Sequence, residues 1–229
     1  MNKHRKSLGM TTTAASGFQL VVGDPAWRYS FSKSRSRRVE RHYPTMTVRE
    51  ICEIPVPQIV ANDAVLLLWS TAPKLKQAFE VMEAWGFEYK TFDVWRKLGR
   101  KGMGYYWRCR HEPILLGTRG HPGCPVPKDR PDSCFDARVG KHSAKPDEAM
   151  ERIERMFPHL SRRIELFARE HRPGWVSWGH DVTGSRGLAE VAHDAFSRRT
   201  GESFERSSAV LDLEPLLPRA GVAALASGS

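Results

Sequence analysis

Asp24-Pro25-Ala26-Trp27 is the segment of this chain whose residue types are best suited to chemistry. It brings together a carboxylate, a carbonyl beside a proline ring and an indole. The partner such a group suits is an amino group on an aromatic ring. That amine is a poor nucleophile, because its lone pair is delocalised into the ring. The Asp24 carboxylate and the Pro25 carbonyl can each accept one amino hydrogen, which favours a pyramidal nitrogen with its lone pair free to attack. Trp27 or Tyr29 can stack on the ring, an interaction of roughly 1 to 3 kcal/mol. Taken alone, the tetrapeptide is a weak signal that reads more readily as an Asp-Pro turn with a core tryptophan behind it.

The elements that must position this segment are legible from the apolar pattern. Phe18 to Val22 is a short apolar strand ending in Gly23-Asp24-Pro25. Thr47 to Val60 is a helical stretch interrupted by Pro55 and Pro57. Ala64 to Ser70 is a continuous apolar run, as expected of a strand covered on both faces. Leu75, Ala78, Phe79, Met82 and Trp85 recur at helical spacing, with Gly86 at the stop. Phe87 to Lys97 reads as a strand whose alternation weakens at Phe92 and Val94, and Pro113 to Gly117 as another. Gly99 to Gly104 is a basic glycine-rich loop, and His121 to Asp132 reads as a loop or lid. Pro146 to Phe157 is a helix with Pro146 in its first turn. Arg163 to Ala168 and Trp175 to Trp178 are the last strands, followed by a helix over Leu188 to Ser197. Such alternation predicts an α/β domain with a largely parallel sheet, in which ligands bind beyond the carboxyl ends of the strands. Residues 1–16 are expected to be a disordered basic arm, 17–200 the folded domain and 201–229 a low-complexity, weakly ordered tail.

Charge bounds the partners. The 229 residues carry a formal net charge of +10, and the pI is near 9.7. Lys33, Arg35, Arg37, Arg38 and Arg41 form one basic group; Arg96, Lys97, Arg100, Lys101, Arg108 and Arg110 form another. Such fields attract phosphate backbones, although a solvated basic surface has the same composition. No apolar run approaches the roughly 18 residues of a membrane span, and Met1 to Lys6 is not followed by a signal-peptide core, so a cytoplasmic protein is expected. The four cysteines, Cys52, Cys109, Cys124 and Cys134, show no metal-site spacing. A zinc site from His121, Cys124, Cys134 and His142 is the alternative to reduced thiols, and no metal is expected.

Several blocks of the chain, in order, resemble the 70-kDa messenger-RNA adenosine methyltransferase (MT-A) family and its prokaryotic and phage relatives. They are Gly23 to Tyr29, His42 to Met46, Ala64 to Ser70, Glu83 to Phe87 and Gly104 to Arg108. His111-Glu112-Pro113, Gly117 to Gly120, His142 to Glu148, Glu165 to His171, Pro173 to Trp175 and Trp178-Gly179 complete the series. The resemblance implies a Rossmann-like S-adenosylmethionine-dependent methyltransferase fold, with a mostly parallel sheet flanked by helices. It implies transfer of a methyl group to the N6 amino group of adenine, with Asp24, Pro25, Ala26 and Trp27 as the catalytic segment. Tyr29, Tyr43, Tyr106 and Trp107 would shape the base pocket or its entrance, or else pack in the core. Lys145, Glu165, Phe167, Arg169, His171, Gly179, His180 and Asp181 match positions that hold S-adenosylmethionine. A carboxylate such as Glu165 suits ribose hydroxyls, and Lys145 suits a carboxylate as a point charge. The structural alternatives are a Lys145 that merely precedes a helix and a local Glu165–Arg169 ion pair.

Two positions depart from the family pattern. Ala26 stands where a second proline is usual, and His180 lies in a turn that commonly contains asparagine. DNA is the expected substrate, with Lys33, Arg35, Arg37, Arg38, Arg41, Arg100 and Lys101 on the backbone of a single-stranded or flipped target. RNA as the substrate, or a catalytically silent nucleic-acid-binding partner, are the alternatives.

Overall fold

The computed structural model describes residues 17–29, 45–99, 106–140, 144–184 and 186–200. The expected N-terminal arm, the C-terminal tail, Tyr43 and the basic residues Lys33 to Arg41, Arg100 and Lys101 lie outside these, as does His142. Seven strands form one sheet: β1 (Phe18–Gly23), β2 (Val60–Trp69), β3 (Glu88–Leu98), β4 (His111–Arg119), β5 (Cys134–Arg138), β6 (Arg163–Leu166) and β7 (Val176–Trp178). Their order is β5-β3-β4-β2-β1-β6-β7. Every neighbouring pair is parallel except the two made by β4, which runs against β2 and β3. The sheet is therefore mixed but mostly parallel, as the strand–helix alternation predicts.

Helices cover both faces, as the two-sided burial of β2 requires. Ala64, Leu66 and Leu68 enter one core. It also takes Ile51 from α1 (Val48–Cys52), Val56 and Ile59 from α2 (Val56–Ile59), Ala78, Val81 and Met82 from α3 (Leu75–Ala84) and Phe196 from α6 (Leu188–Thr200). Val65, Leu67 and Trp69 point the other way, to Ala149, Met150 and Ile153 of α4 (Asp147–Met156). A short α5 (His180–Thr183) follows β7. No helix among the described residues is long and apolar enough to cross a membrane.

Local signals explain most boundaries. Thr47 and Glu50 close a capping box at α1, the Thr47 N–H donating to Glu50 Oε2 at 2.6 Å. Gly86 adopts φ 78 just after α3, the left-handed turn that glycine takes without Cβ strain. Pro146 stands one place outside α4 rather than in its first turn. The weakened alternation in β3 has a physical cause: the register shifts between Tyr89 and Thr91, which puts Tyr89 and Phe92 on one face. The loop expected over His121 to Asp132 holds a single 3₁₀ turn at Pro127–Asp129, and β5 follows it as a strand not foreseen.

Trp85 locks α3 to α1. Its ring is fully buried and its Nε1 donates to the Ile51 carbonyl at 3.0 Å. Trp85→Ala removes the ring and the bond together and is expected to cost about 3 to 5 kcal/mol in urea unfolding. Trp85→Phe should cost distinctly less. Equal midpoints for Trp85→Ala and the wild type would show that α3 is not held this way.

Candidate active site

The carboxyl ends of all the parallel strands lie along one edge of the sheet, and the antiparallel β4 brings its amino end, with Glu112, to the same edge. The chain leaves β1 toward β2 on one side and later returns to β6 on the other. The gap between β1 and β6 is thus a topological switch point, where an open α/β sheet offers a crevice. Asp24 follows β1 there, its N–H donating to the Leu166 carbonyl at 3.4 Å. Glu165 lies on β6 opposite Val22, and Phe167 comes just after that strand.

Lys145, in the segment that enters α4, crosses to this gap. Its ammonium donates to Asp24 Oδ2 at 2.6 Å and stands 3.5 Å from Glu112 Oε2. Glu112 is also paired with Lys97. The four side chains form an alternating row, cation to anion, from the end of β3 to the end of β1. Two tryptophans floor the row: Lys145 lies 5.2 Å from the Trp69 ring and Lys97 5.0 Å from the Trp95 ring. Those rings meet edge to face at 6.1 Å. Burial acts to discharge Lys145, but the Asp24 and Glu112 carboxylates outweigh it and hold its pKa above the ordinary lysine value.

The tetrapeptide is a braced turn. The Trp27 N–H donates to the Pro25 carbonyl at 2.8 Å, and the Met46 N–H donates to the Ala26 carbonyl at 2.8 Å. A carbonyl has two lone pairs, so Pro25 can still accept a second donor. Ala26 serves this bridge through its backbone, for which a second proline ring is unnecessary. Trp27 is only 5% exposed and packs in the core beneath the turn. Tyr29 is the half-buried ring at the rim, its hydroxyl 2.7 Å from Thr71 Oγ1 at the end of β2.

Glu165, Phe167 and Gly179 gather along β6 and β7. Burial pushes the Glu165 carboxyl up, against the lowering influence of Arg172, which is itself bonded to Asp147 at 2.6 Å. Phe167 has φ 64, a conformation uncommon outside glycine, and its ring meets Trp178 edge-on at 5.9 Å. Gly179 has no room for a side chain, because a Cβ would lie 2.2 Å from the Ala168 carbonyl oxygen. Arg169 and His171 are exposed on the loop after β6, and His180 and Asp181 are exposed in the first turn of α5, just after β7. Tyr106 and Trp107 project 94% and 86% exposed from the segment between β3 and β4. Cys124 and Cys134 are exposed free thiols, and no three metal-ligating side chains converge among the described residues.

Sequence reasoning placed Lys97 only in a basic group and Glu112 only in one of the resembling blocks, and did not pair them at the site. The available signal was positional: Lys97 shares the strand period of Trp95, and Glu112 opens the next strand, so a hairpin places both at one edge.

An open sheet with this acid-bearing turn at its switch point has the architecture of an S-adenosylmethionine-dependent methyltransferase. The MT-A70 family model matches residues 18–181. The Type II methyltransferase M.MunI of a Mycoplasma species is 32% identical over 187 residues, which is 74% of this chain and 79% of that protein. The human N(6)-adenosine-methyltransferase catalytic subunit METTL3 is 30% identical over 184 residues, 73% of this chain and 28% of that protein. An MT-A70-like N(6)-adenosine-methyltransferase of Arabidopsis thaliana is 30% identical over 210 residues, 88% of this chain and 28% of that protein. The chain thus spans most of the Mycoplasma relative but well under half the length of the human and plant ones. It belongs to the MT-A70 family, a family of S-adenosylmethionine-dependent N6-adenine methyltransferases.

The raised pKa of Glu165 has a consequence for stability. A carboxyl whose folded pKa exceeds its unfolded value, near 4.5, favours the native state below that value and loses the contribution as pH rises through the folded pKa. Glu165→Gln should therefore raise the melting temperature relative to wild type at pH 7, with the gap closing toward pH 4. Parallel melting curves across that range test this, and a variant less stable at pH 7 would refute it.

Proposed function

We propose that this protein transfers the methyl group of S-adenosylmethionine to the N6 amino group of adenine in DNA. The observation that carries the reading is the Asp24 carboxylate at the switch point, held at Oδ2 by Lys145 with Oδ1 left for an amino hydrogen. The Pro25 carbonyl, with one lone pair unused, is the second acceptor. Bound S-adenosylmethionine supplies an electrophilic methyl group on a sulfonium. Asp24 and Pro25 would each take one N6 hydrogen and so turn the nitrogen lone pair toward that methyl group, and the amino proton lost on methylation would pass to solvent.

The residues present fit that methyl donor. Glu165, half-buried on β6 opposite Val22, carries two acceptor oxygens suited to paired ribose hydroxyls. Lys145 has donors beyond the one given to Asp24, so the donor's carboxylate can join its shell. Phe167, Arg169, His171, Gly179, His180 and Asp181 line the same edge and complete the proposed donor site. Tyr29 at the rim, with the exposed Tyr106 and Trp107, offers stacking surfaces for a base drawn out of its helix. Trp27 supports the pocket from below. Lys33, Arg35, Arg37, Arg38, Arg41, Arg100 and Lys101 are the proposed backbone contacts, in keeping with the net charge of +10.

DNA is favoured by the high coverage of the Mycoplasma Type II methyltransferase in both directions. RNA is the second reading, favoured by the N(6)-adenosine-methyltransferases that match over a comparable length of this chain. The likeness to a Mycoplasma enzyme also supports a cytoplasmic site of action.

Labelled S-adenosylmethionine, offered equal amounts of DNA and RNA and followed by digestion to nucleosides, tests the proposal. Label is expected in N6-methyldeoxyadenosine. Asp24→Asn should lower turnover about 10²- to 10³-fold while leaving S-adenosylmethionine affinity within a few-fold of wild type. Label confined to N6-methyladenosine would move the substrate to RNA. Donor binding with no transfer to either would identify a silent partner.

A further inference from the structure

One cation at the rim of the site is set apart from the others. Lys145 and Lys97 are each held by a carboxylate, and Arg28 is 3.9 Å from Glu50. Lys74 forms no ion pair among the described residues. It ends the 3₁₀ turn Ala72–Lys74, which leaves the carboxyl end of β2 and leads directly into α3. Its ammonium lies 5.2 Å from the centre of the Tyr29 ring. That ring is fixed by the bond between its hydroxyl and Thr71 Oγ1, 2.7 Å long. β2 is the neighbour of β1, with Leu68 opposite Gly23, so this corner adjoins Asp24.

The electrostatics of the corner are one-sided. Burial lowers the pKa of Lys74, and among the described residues no anion offsets the loss. The first turn of α3 carries no acidic side chain, and no side chain caps its N-terminus. The Tyr29 ring gives the ammonium a partner through its π face, a modest attraction that leaves the positive charge available. A half-buried cation that keeps its charge without a counter-ion is suited to an anionic ligand that arrives and departs. At the rim of a pocket for a nucleotide base, the anion at hand is a phosphodiester.

We propose that Lys74, resting on the Tyr29 ring, binds a backbone phosphate of the substrate DNA strand beside the nucleotide whose base enters at Asp24. The inference rests on the reading of this chain as a DNA adenine methyltransferase. The contact fixes strand position and carries no base preference, since a phosphate is the same at every nucleotide. Lys74 makes no contact with the reacting atoms.

The test uses the full chain and a fluorescein-labelled, adenine-containing single-stranded DNA oligonucleotide, with affinity measured from about 50 to 200 mM salt. Lys74→Gln should weaken binding about three- to tenfold and reduce the slope of log K against log salt by about 0.7, the value for one single-strand phosphate contact. Lys74→Arg should keep the wild-type slope, and Lys74→Glu should weaken binding further than Lys74→Gln. Calorimetric affinity for S-adenosylmethionine should be unchanged in all three, which also shows that they fold. A Lys74→Gln protein with wild-type slope and affinity overturns the proposal while leaving the enzyme reading intact, and assigns Lys74 to propping Tyr29. A slope loss seen on an RNA oligonucleotide but not on DNA overturns the DNA assignment. A wild-type protein that binds no DNA at any salt overturns this inference and the parent reading together.

Discussion

An ammonium group seated between two carboxylates organises the working edge of this molecule. Lys145 reaches Asp24 and Glu112 only because three separate parts of the chain arrive at one place: the end of β1, the start of β4 and the entry to α4. Had β4 run parallel to β2, Glu112 would lie at the opposite edge of the sheet. Removing either partner of a buried pair is costly because the survivor keeps an uncompensated charge. Two carboxylates left to face each other without Lys145 would repel. The arrangement thus couples the one reversed strand among the described residues to the position of the Asp24 carboxylate.

The row of charges can exist at a half-buried edge because of what lies under it. Trp69 and Trp95 belong to the core that α4 closes, and their rings form an apolar floor that also attracts cations. β2 supplies residues alternately to this core and to the one beneath α1, α3 and α6. Its burial on both faces is what forces helices onto both sides of the sheet. The crevice at the strand ends follows from the same layering, since helices that cover the faces leave the edge open.

Much of this layering was legible in the amino-acid sequence, for identifiable reasons. The unbroken run from Ala64 to Ser70, the helical spacing of Leu75 to Trp85 and the stop at Gly86 are strong local signals, and they locate β2 and α3. β5 carried a weaker signal: it is a five-residue edge strand whose alternation, Phe135 and Ala137 inward against Asp136 and Arg138, is too short to stand out beside a proline- and glycine-rich loop. β3 was legible but irregular, because a bulge breaks the period of two. The site was harder to read. Asp24-Pro25-Ala26-Trp27 by itself is a turn, and only the later blocks, in order, gave it meaning. The packing of Trp27 in the core reflects burial of a large ring winning over its display, which no local pattern distinguishes. Glu112 and Lys97 became visible only when β3 and β4 paired, because their partnership is tertiary.

The stretch after β6 shows how much of this edge works against stability. Phe167 holds a backbone conformation that favours glycine, Glu165 keeps an ionisable group where burial opposes its charge, and Gly179 passes so close to Ala168 that any side chain would collide. Each is unfavourable or restrictive when considered alone, and all three lie along neighbouring ends of β6 and β7. Strain of this kind persists only where surrounding packing over-determines it. Here the Phe167–Trp178 contact and the Ala168 N–H bond to the Trp178 carbonyl, 3.0 Å long, supply that packing. A segment selected for stability alone would place glycine at 167 and a neutral residue at 165. The Phe167 ring offsets part of its backbone cost by packing against Trp178 and the core beside it, while the Arg172 guanidinium offsets part of the burial cost at Glu165. Trp85 and Leu66 fill the same core with no such backbone or charge cost, so the strain of this edge is local to the ends of β6 and β7.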